Sequence, residues 1–117
     1  MLSIDMKFIH GILMVDLDGE LVEKNKQKIE RHLTNLIKDN GIKYVLLNLN
    51  NVLDIDKSGI LSIVENYKAI KENNGKLVLC GINKLLENMN RIKLDDYVYE
   101  INDIEEAYNL VEDKWKV

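Results

Sequence analysis

Apolar and polar positions change rhythm several times along the chain. Residues 2–9, LSIDMKFI, and 11–17, GILMVDL, read as two short strands, with His10-Gly11 as a tight hairpin turn between them. From Leu21 onward the period lengthens. Ile29, Leu33, Leu36 and Ile37 recur at i, i+4, i+7 and i+8, one face of a helix, and Asn40-Gly41 closes it. Residues 42–49, IKYVLLNL, form a near-continuous apolar run, as expected of a strand covered on both faces or at a sheet centre. Ile60, Ile63, Val64, Tyr67 and Ile70 restore the helical spacing until Asn73-Asn74-Gly75 stops it. Residues 76–82, KLVLCGI, read as another buried strand, 85–92 as a short helix and 97–101, YVYEI, as a last strand. Residues 103–115 then form an amphipathic helix with Asp103 as candidate N-cap. The order β-β-α-β-α-β-α-β-α predicts an α/β fold, a mostly parallel sheet carrying an antiparallel N-terminal hairpin. Leu46, Leu49, Val78 and Leu79 on the central strands and Ile63 on the second helix are the expected core.

Composition narrows this reading. The chain has 117 residues, which suits one domain over 1–117, and its 46% hydrophobic and 31% charged residues support a core and argue against disorder. Net charge is -4 with no basic face, so nucleic acid is not an expected partner. Cys80 is the single cysteine, which excludes an internal disulfide and fits a reducing compartment. No apolar run approaches the ~20 residues of a membrane span. The opening MLSIDMKFIH carries Asp5 and lacks the basic and apolar regions of a signal peptide, so a cytoplasmic protein without membrane contact is expected.

Chemistry gathers at residues 54–59, Asp54-Ile55-Asp56-Lys57-Ser58-Gly59, where a buried strand gives way to a helix. Ligand and partner sites of parallel sheets collect at the carboxyl ends of strands. Catalysis finds little support. Cys80 lies in an apolar strand, where a free cysteine acts as a small hydrophobe, and the only histidines, His10 and His32, fall in a turn and a helix. No Cys or His pair has metal-ligand spacing, and Asp54 with Asp56 is too few carboxylates for a cation site. No glycine-rich phosphate loop is present. An aspartyl-phosphate receiver needs an acidic pair after its first strand and a lysine after a late one. Asp16 and Asp18 instead follow a hairpin strand, and the first lysine after LVLCGIN is Lys84. A non-enzymatic protein without cofactor or metal is expected. At the junction, Asp56 or Ser58 would cap a helix beginning near Gly59, worth about 1 kcal/mol. Lys57 gains nothing there, because a cation at a helix N-terminus opposes the macrodipole.

Residues 44–83, YVLLNLNNVLDIDKSGILSIVENYKAIKENNGKLVLCGIN, resemble the core of the STAS domain as found in the anti-sigma factor antagonist family. That family has an apolar strand ending Leu-x-Leu, then Asp-Ser-Ser-Gly or Asp-Ser-Thr-Gly, a helix with a Tyr-Lys segment, and a Gly-led strand. Asp56, Ser58, Gly59, Tyr67, Lys68 and Gly75 fall in place, and 17–21, LDGEL, resembles the family's Gly-Glu-Leu-Asp start of the first helix. The resemblance covers essentially the whole chain. It implies a single STAS-type domain, a central mixed sheet with helices packed mainly on one face. It implies a protein-binding module that binds an anti-sigma factor, itself a GHKL-type serine kinase, and so frees a sigma factor. In the family the kinase phosphorylates a serine at the start of the second helix, which switches the antagonist off, and a PP2C-type phosphatase restores it.

The sequence departs from the family at that serine. Lys57 occupies the usual phosphoacceptor position, Ser58 matches the second serine, and Val22 replaces the aspartate after Gly-Glu-Leu. Asp56, Lys57, Ser58 and Gly59 are the expected docking and switch residues, with Ser58 the candidate phosphoacceptor. Either the conventional switch is lost, or Ser58 carries it, or the domain serves another partner as a stand-alone scaffold in a regulatory or transport complex.

Overall fold

The computed structural model describes residues 1–81 and 98–101. Strand β1 (Leu2–Ile9) reverses at His10-Gly11 into β2 (Ile12–Leu21). Both turn residues have positive φ, 51° and 80°, the backbone of a two-residue hairpin whose twist matches its strands. A 3-10 turn (Glu23–Asn25) follows, then α1 (Lys26–Ile29), a wider π-helical turn (Glu30–Thr34) and α2 (Asn35–Asn40), which join to one another through helical residues. Gly41, left-handed at φ 60°, ends the helix. Then come β3 (Tyr44–Ile55), α3 (Lys57–Glu72), β4 (Lys76–Cys80) and β5 (Val98–Ile101). The expected helices at 85–92 and 103–115, with Asp103, and Lys84 lie outside the described residues.

Among the described residues the sheet has five strands in the order β1-β2-β3-β4-β5. The β1–β2 pair is antiparallel and the others are parallel. Because the parallel strands advance in one direction, right-handed crossovers put both described helical connections on the same face. Alternation along each strand then sorts the side chains. Leu13, Val15 and Leu17 of β2, Val45, Leu47 and Leu49 of β3, and Leu77 and Leu79 of β4 meet Ile29, Leu33 and Ile37 from one helix and Ile60, Ile63 and Ile70 from the other. The opposite face carries a smaller buried cluster of Ile12, Leu46, Val78 and Cys80, with Met14 and Tyr44 partly buried against it. The five residues expected in the core, Leu46, Leu49, Ile63, Val78 and Leu79, are all buried, each such side chain contributing about 1.5–3 kcal/mol of apolar transfer.

Three boundaries differ from the sequence reading. β2 runs to Leu21 and β3 to Ile55, because Asp18–Leu21 pair with 51–55 across two register shifts. These stretches mix polar residues with Leu21, Val52 and Ile55, which are buried in the main core, but the register shifts break the strict alternation by which a strand is recognised in sequence. LDGEL therefore ends a strand, and helix begins only at Glu23. Finally, α3 starts at Lys57, two residues before Gly59.

Candidate functional site

The carboxyl end of β3 hands over to α3 at Asp56, which has extended backbone angles (φ -114°, ψ -175°). Its carboxylate is used twice. Oδ1 accepts from the Gly59 N–H at 2.9 Å, the N-cap bond of α3, and Oδ2 accepts from the Glu23 N–H at 3.0 Å. Its backbone N–H donates to the Leu21 carbonyl at 3.3 Å. One aspartate thus ties the start of α3 to the end of β2 and to the entrance of the first helix. Of the two caps the sequence allowed, the structure uses Asp56. Gly59 is fixed by the same neighbour, since a Cβ there would lie 2.0 Å from the Leu21 carbonyl oxygen and 2.9 Å from Ile55 Cγ1. Only a residue without a side chain lets α3 approach β2 this closely.

Asp56 and Gly59 are therefore taken up by the fold. Lys57 and Ser58, the first two residues of α3, are not. Lys57 is exposed and Ser58 half-buried. Among the described residues neither side chain has a hydrogen bond or ion pair. Two exposed leucines lie near them in the chain, Leu53 at 82% and Leu61 at 43%. Leu61 follows Lys57 at i+4 and so shares its face of α3. Asp54 stands apart from this group. It stays in β3, opposite Glu20 of β2. The Met1 amino group, by hydrogen bond, and Lys24 hold the exposed Glu20 carboxyl below the usual carboxylate range.

The other chemical candidates are dispersed. Cys80 is fully buried on the second face of the sheet, its thiol 3.5 Å from Asn48 Oδ1 and 3.8 Å from the Leu47 carbonyl. His10 occupies the hairpin turn and His32 the exposed side of the π-helical turn. Asp16 accepts from Asn48 Nδ2 at 3.0 Å. Among the described residues no group of three or more His, Cys, Asp or Glu could hold a metal ion, and no helix is long and apolar enough to cross a membrane.

One buried polar link behind the site escaped the sequence reading. Thr34 of the π-helical turn donates to Asn66 Oδ1 at 2.7 Å, and Asn66 Nδ2 donates to the Ser62 carbonyl at 2.9 Å. This pair joins the first helix to α3, under a shallow cleft edged by Leu61. Its only trace in the sequence is a polar Asn66 between Ile63 and Ile70, on the face that should be apolar.

The STAS domain family model matches residues 3–108. The chain belongs to the STAS domain family. It is 29% identical over 82 residues to an anti-sigma F factor antagonist of Paenibacillus polymyxa, covering 70% of each chain. A Thermotoga maritima structure assigned as an anti-sigma factor antagonist superposes with a TM-score of 0.78 at 22% identity, over 93% of this chain and 94% of that one. The anti-sigma factor antagonist SpoIIAA in its unphosphorylated form superposes with a TM-score of 0.71 at 14% identity, over 95% and 99%. At such identities these structures establish the STAS fold alone. The central mixed sheet with helices is the architecture shared with them.

Proposed function

We propose that this STAS domain is a protein-binding regulator that antagonises an anti-sigma factor, and that the start of α3 is its docking face. The supporting observation is the division of labour within residues 56–59. Asp56 and Gly59 are occupied by contacts to β2 and the first helix, while Lys57 and Ser58 present unengaged side chains, and Leu53 and Leu61, four residues to either side of Lys57 in the chain, are exposed. Exposed apolar side chains together with unengaged polar ones suit a protein partner. The partner is an anti-sigma factor of the GHKL serine-kinase type, whose capture frees a sigma factor, and the domain performs no catalysis of its own. Kinship with an anti-sigma F factor antagonist supports this reading.

Lys57 stands where the family's phosphoacceptor serine stands, so binding does not respond to the kinase at that position and no PP2C-type phosphatase is needed to restore it. Phosphate would bring about -1.5 to -2 charges into the docking face, whereas lysine brings a charge of opposite sign. The test uses the cognate kinase with ATP and intact-mass measurement. Wild type stays unmodified, Lys57→Ser gains one phosphate, and Lys57→Glu binds the kinase more weakly. Efficient phosphorylation of wild type, abolished by Ser58→Ala and accompanied by loss of binding, would overturn the proposal and make Ser58 the switch.

A further inference from the structure

Among the described residues strand β1 is the outer edge of the sheet, hydrogen-bonded to β2 alone. Its two-residue turn closes on the Ile9–Ile12 pair, so Ile9, Lys7, Asp5 and Ser3 direct their N–H and C=O groups toward β2. The ends of the strand agree. Met1 C=O accepts from the Glu20 N–H on β2 at 3.1 Å, while Leu2 C=O points away and is taken by the Lys28 ammonium. The backbone groups of Ile4, Met6 and Phe8 therefore face outward along an open edge.

The side chains of this edge form two rows. Ile4, Met6 and Phe8 lie opposite Leu17, Val15 and Leu13, on the helix-covered face; Ile4 packs partly buried against the core, but the cover stops short of Met6 and Phe8, leaving them 37% and 60% exposed. Asp5 and Lys7 lie on the other face, exposed and without an ion pair among the described residues. Such an edge templates the addition of a further strand.

We infer that the occupant of this edge is a second copy of the chain, with β1 pairing antiparallel to β1 of its partner about a two-fold axis at Met6. Hydrogen bonding narrows the choice of register, and charge then selects among those that remain. A two-fold interface matches each patch with itself, and the outward groups of Ile4, Met6 and Phe8 meet one another only when even-numbered residues oppose even-numbered ones. Centring on Asp5 would set Asp5 against its own copy, and centring on Lys7 would set Lys7 against its own copy. Centring on Ile4 would shorten the overlap and demand the Leu2 carbonyl that Lys28 already occupies. Centring on Met6 places Asp5 against Lys7 of the other copy, twice. These are non-hydrogen-bonded pairs, in which side chains stand closest. On the opposite face the same register places Ile4 against Phe8, twice, and Met6 against Met6. Two five-stranded sheets become one continuous sheet, and the exposed Phe8 rings gain apolar neighbours. Edge charges can also serve to repel strand addition, and the charge-swap experiment separates these roles.

The full chain is measured by sedimentation velocity and by gel filtration with light scattering. Wild type forms a concentration-dependent dimer. Lys7→Asp sets acid against acid and raises the dissociation constant at least about tenfold, and the double variant Asp5→Lys/Lys7→Asp restores it to within about threefold of wild type. Met6→Cys, placed on the axis in a hydrogen-bonded pair with Cα atoms ~5.5 Å apart, closes an intermolecular disulfide under mild oxidation. Cys80 is fully buried and does not compete. A wild type that stays monomeric at every attainable concentration overturns the inference. So does a dimer indifferent to Lys7→Asp, or failure of Met6→Cys to cross-link. If Lys7→Asp unfolds by circular dichroism, the Met6→Cys result decides.

Discussion

Replacing Asp56 by asparagine separates a double acceptor from an ordinary helix cap. Asparagine is about as good as aspartate at an N-cap, so a residue that only capped α3 would tolerate the change. Asp56 accepts two backbone N–H groups, Gly59 at 2.9 Å on Oδ1 and Glu23 at 3.0 Å on Oδ2. An amide has one oxygen, and whichever way it turns, its NH2 meets one of those donors. One hydrogen bond is lost, at about 0.5–1.5 kcal/mol, together with the attraction of a negative charge for the helix N-terminus, about 0.3–1 kcal/mol. The Glu23 contact is exposed and the Gly59 contact only partly buried, so the lower half of the range applies, roughly 1–1.5 kcal/mol. Asp56→Ala loses both bonds and should cost about 1.5–3 kcal/mol. Urea unfolding followed by far-ultraviolet circular dichroism reads the difference. With a slope of about 1.5–2 kcal/mol/M, Asp56→Asn should lower the midpoint by roughly 0.5–1 M at unchanged slope. A midpoint for Asp56→Asn within about 0.2 M of wild type, beside a strongly destabilised alanine variant, would show that the Glu23 bond contributes nothing and that Asp56 is a simple cap.

Gly59→Ala should reverse the usual sign: alanine normally gains about 1 kcal/mol over glycine in a helix, but here its Cβ would lie 2.0 Å from the Leu21 carbonyl, and a net loss of about 1–3 kcal/mol is expected by urea unfolding. Thr34→Val keeps the shape but leaves the buried Asn66 Oδ1 without its 2.7 Å donor, so it should cost about 1–3 kcal/mol, while Thr34→Ser, which keeps the hydroxyl, should cost less. Lys57→Ser should leave the midpoint within the equivalent of about 0.5 kcal/mol, because Lys57 is exposed and without partners among the described residues.

The sequence disclosed those features that rest on neighbouring residues. His10-Gly11 announced the hairpin because both of its residues adopt positive φ, and Asn40-Gly41 announced the end of the first helix because Gly41 takes the left-handed conformation there. The buried runs 44–49 and 76–80 were visible because both faces of those strands are covered, so every position is apolar apart from Asn48 and the half-buried ends. The extensions of β2 and β3 carried no such mark, since their buried residues, Leu21, Val52 and Ile55, are spaced irregularly across two register shifts. At the junction of β3 and α3 the sequence drew attention to residues 56–59, but not to what each does for the fold. Asp56 and Ser58 are equally good caps in a one-dimensional reading. What decides between them is the Glu23 amide, 33 residues away, and what fixes Gly59 is the carbonyl of Leu21. Neither neighbour is adjacent in the chain, so no local pattern encodes it. The Thr34–Asn66 bond was hidden likewise, being a contact between two helices.

This geometry lets the residue at position 57 change without refolding the domain. The first turn of α3 is held from outside, by the Leu21–Glu23 segment, through Asp56 and the bare Cα of Gly59. Lys57 and Ser58 ride on a backbone whose position their own side chains do not determine. For serine and lysine at position 57, the difference in helix energetics is a few tenths of a kcal/mol, from propensity and the macrodipole. For a partner docking at the start of α3, as proposed above, the difference would be a full charge. The fold is thus nearly indifferent to a residue to which the proposed docking would be sensitive. An effect of Lys57→Ser or Lys57→Glu on partner binding then reports on the interface itself, while the same effect at Asp56 or Gly59 would be confounded with loss of the junction.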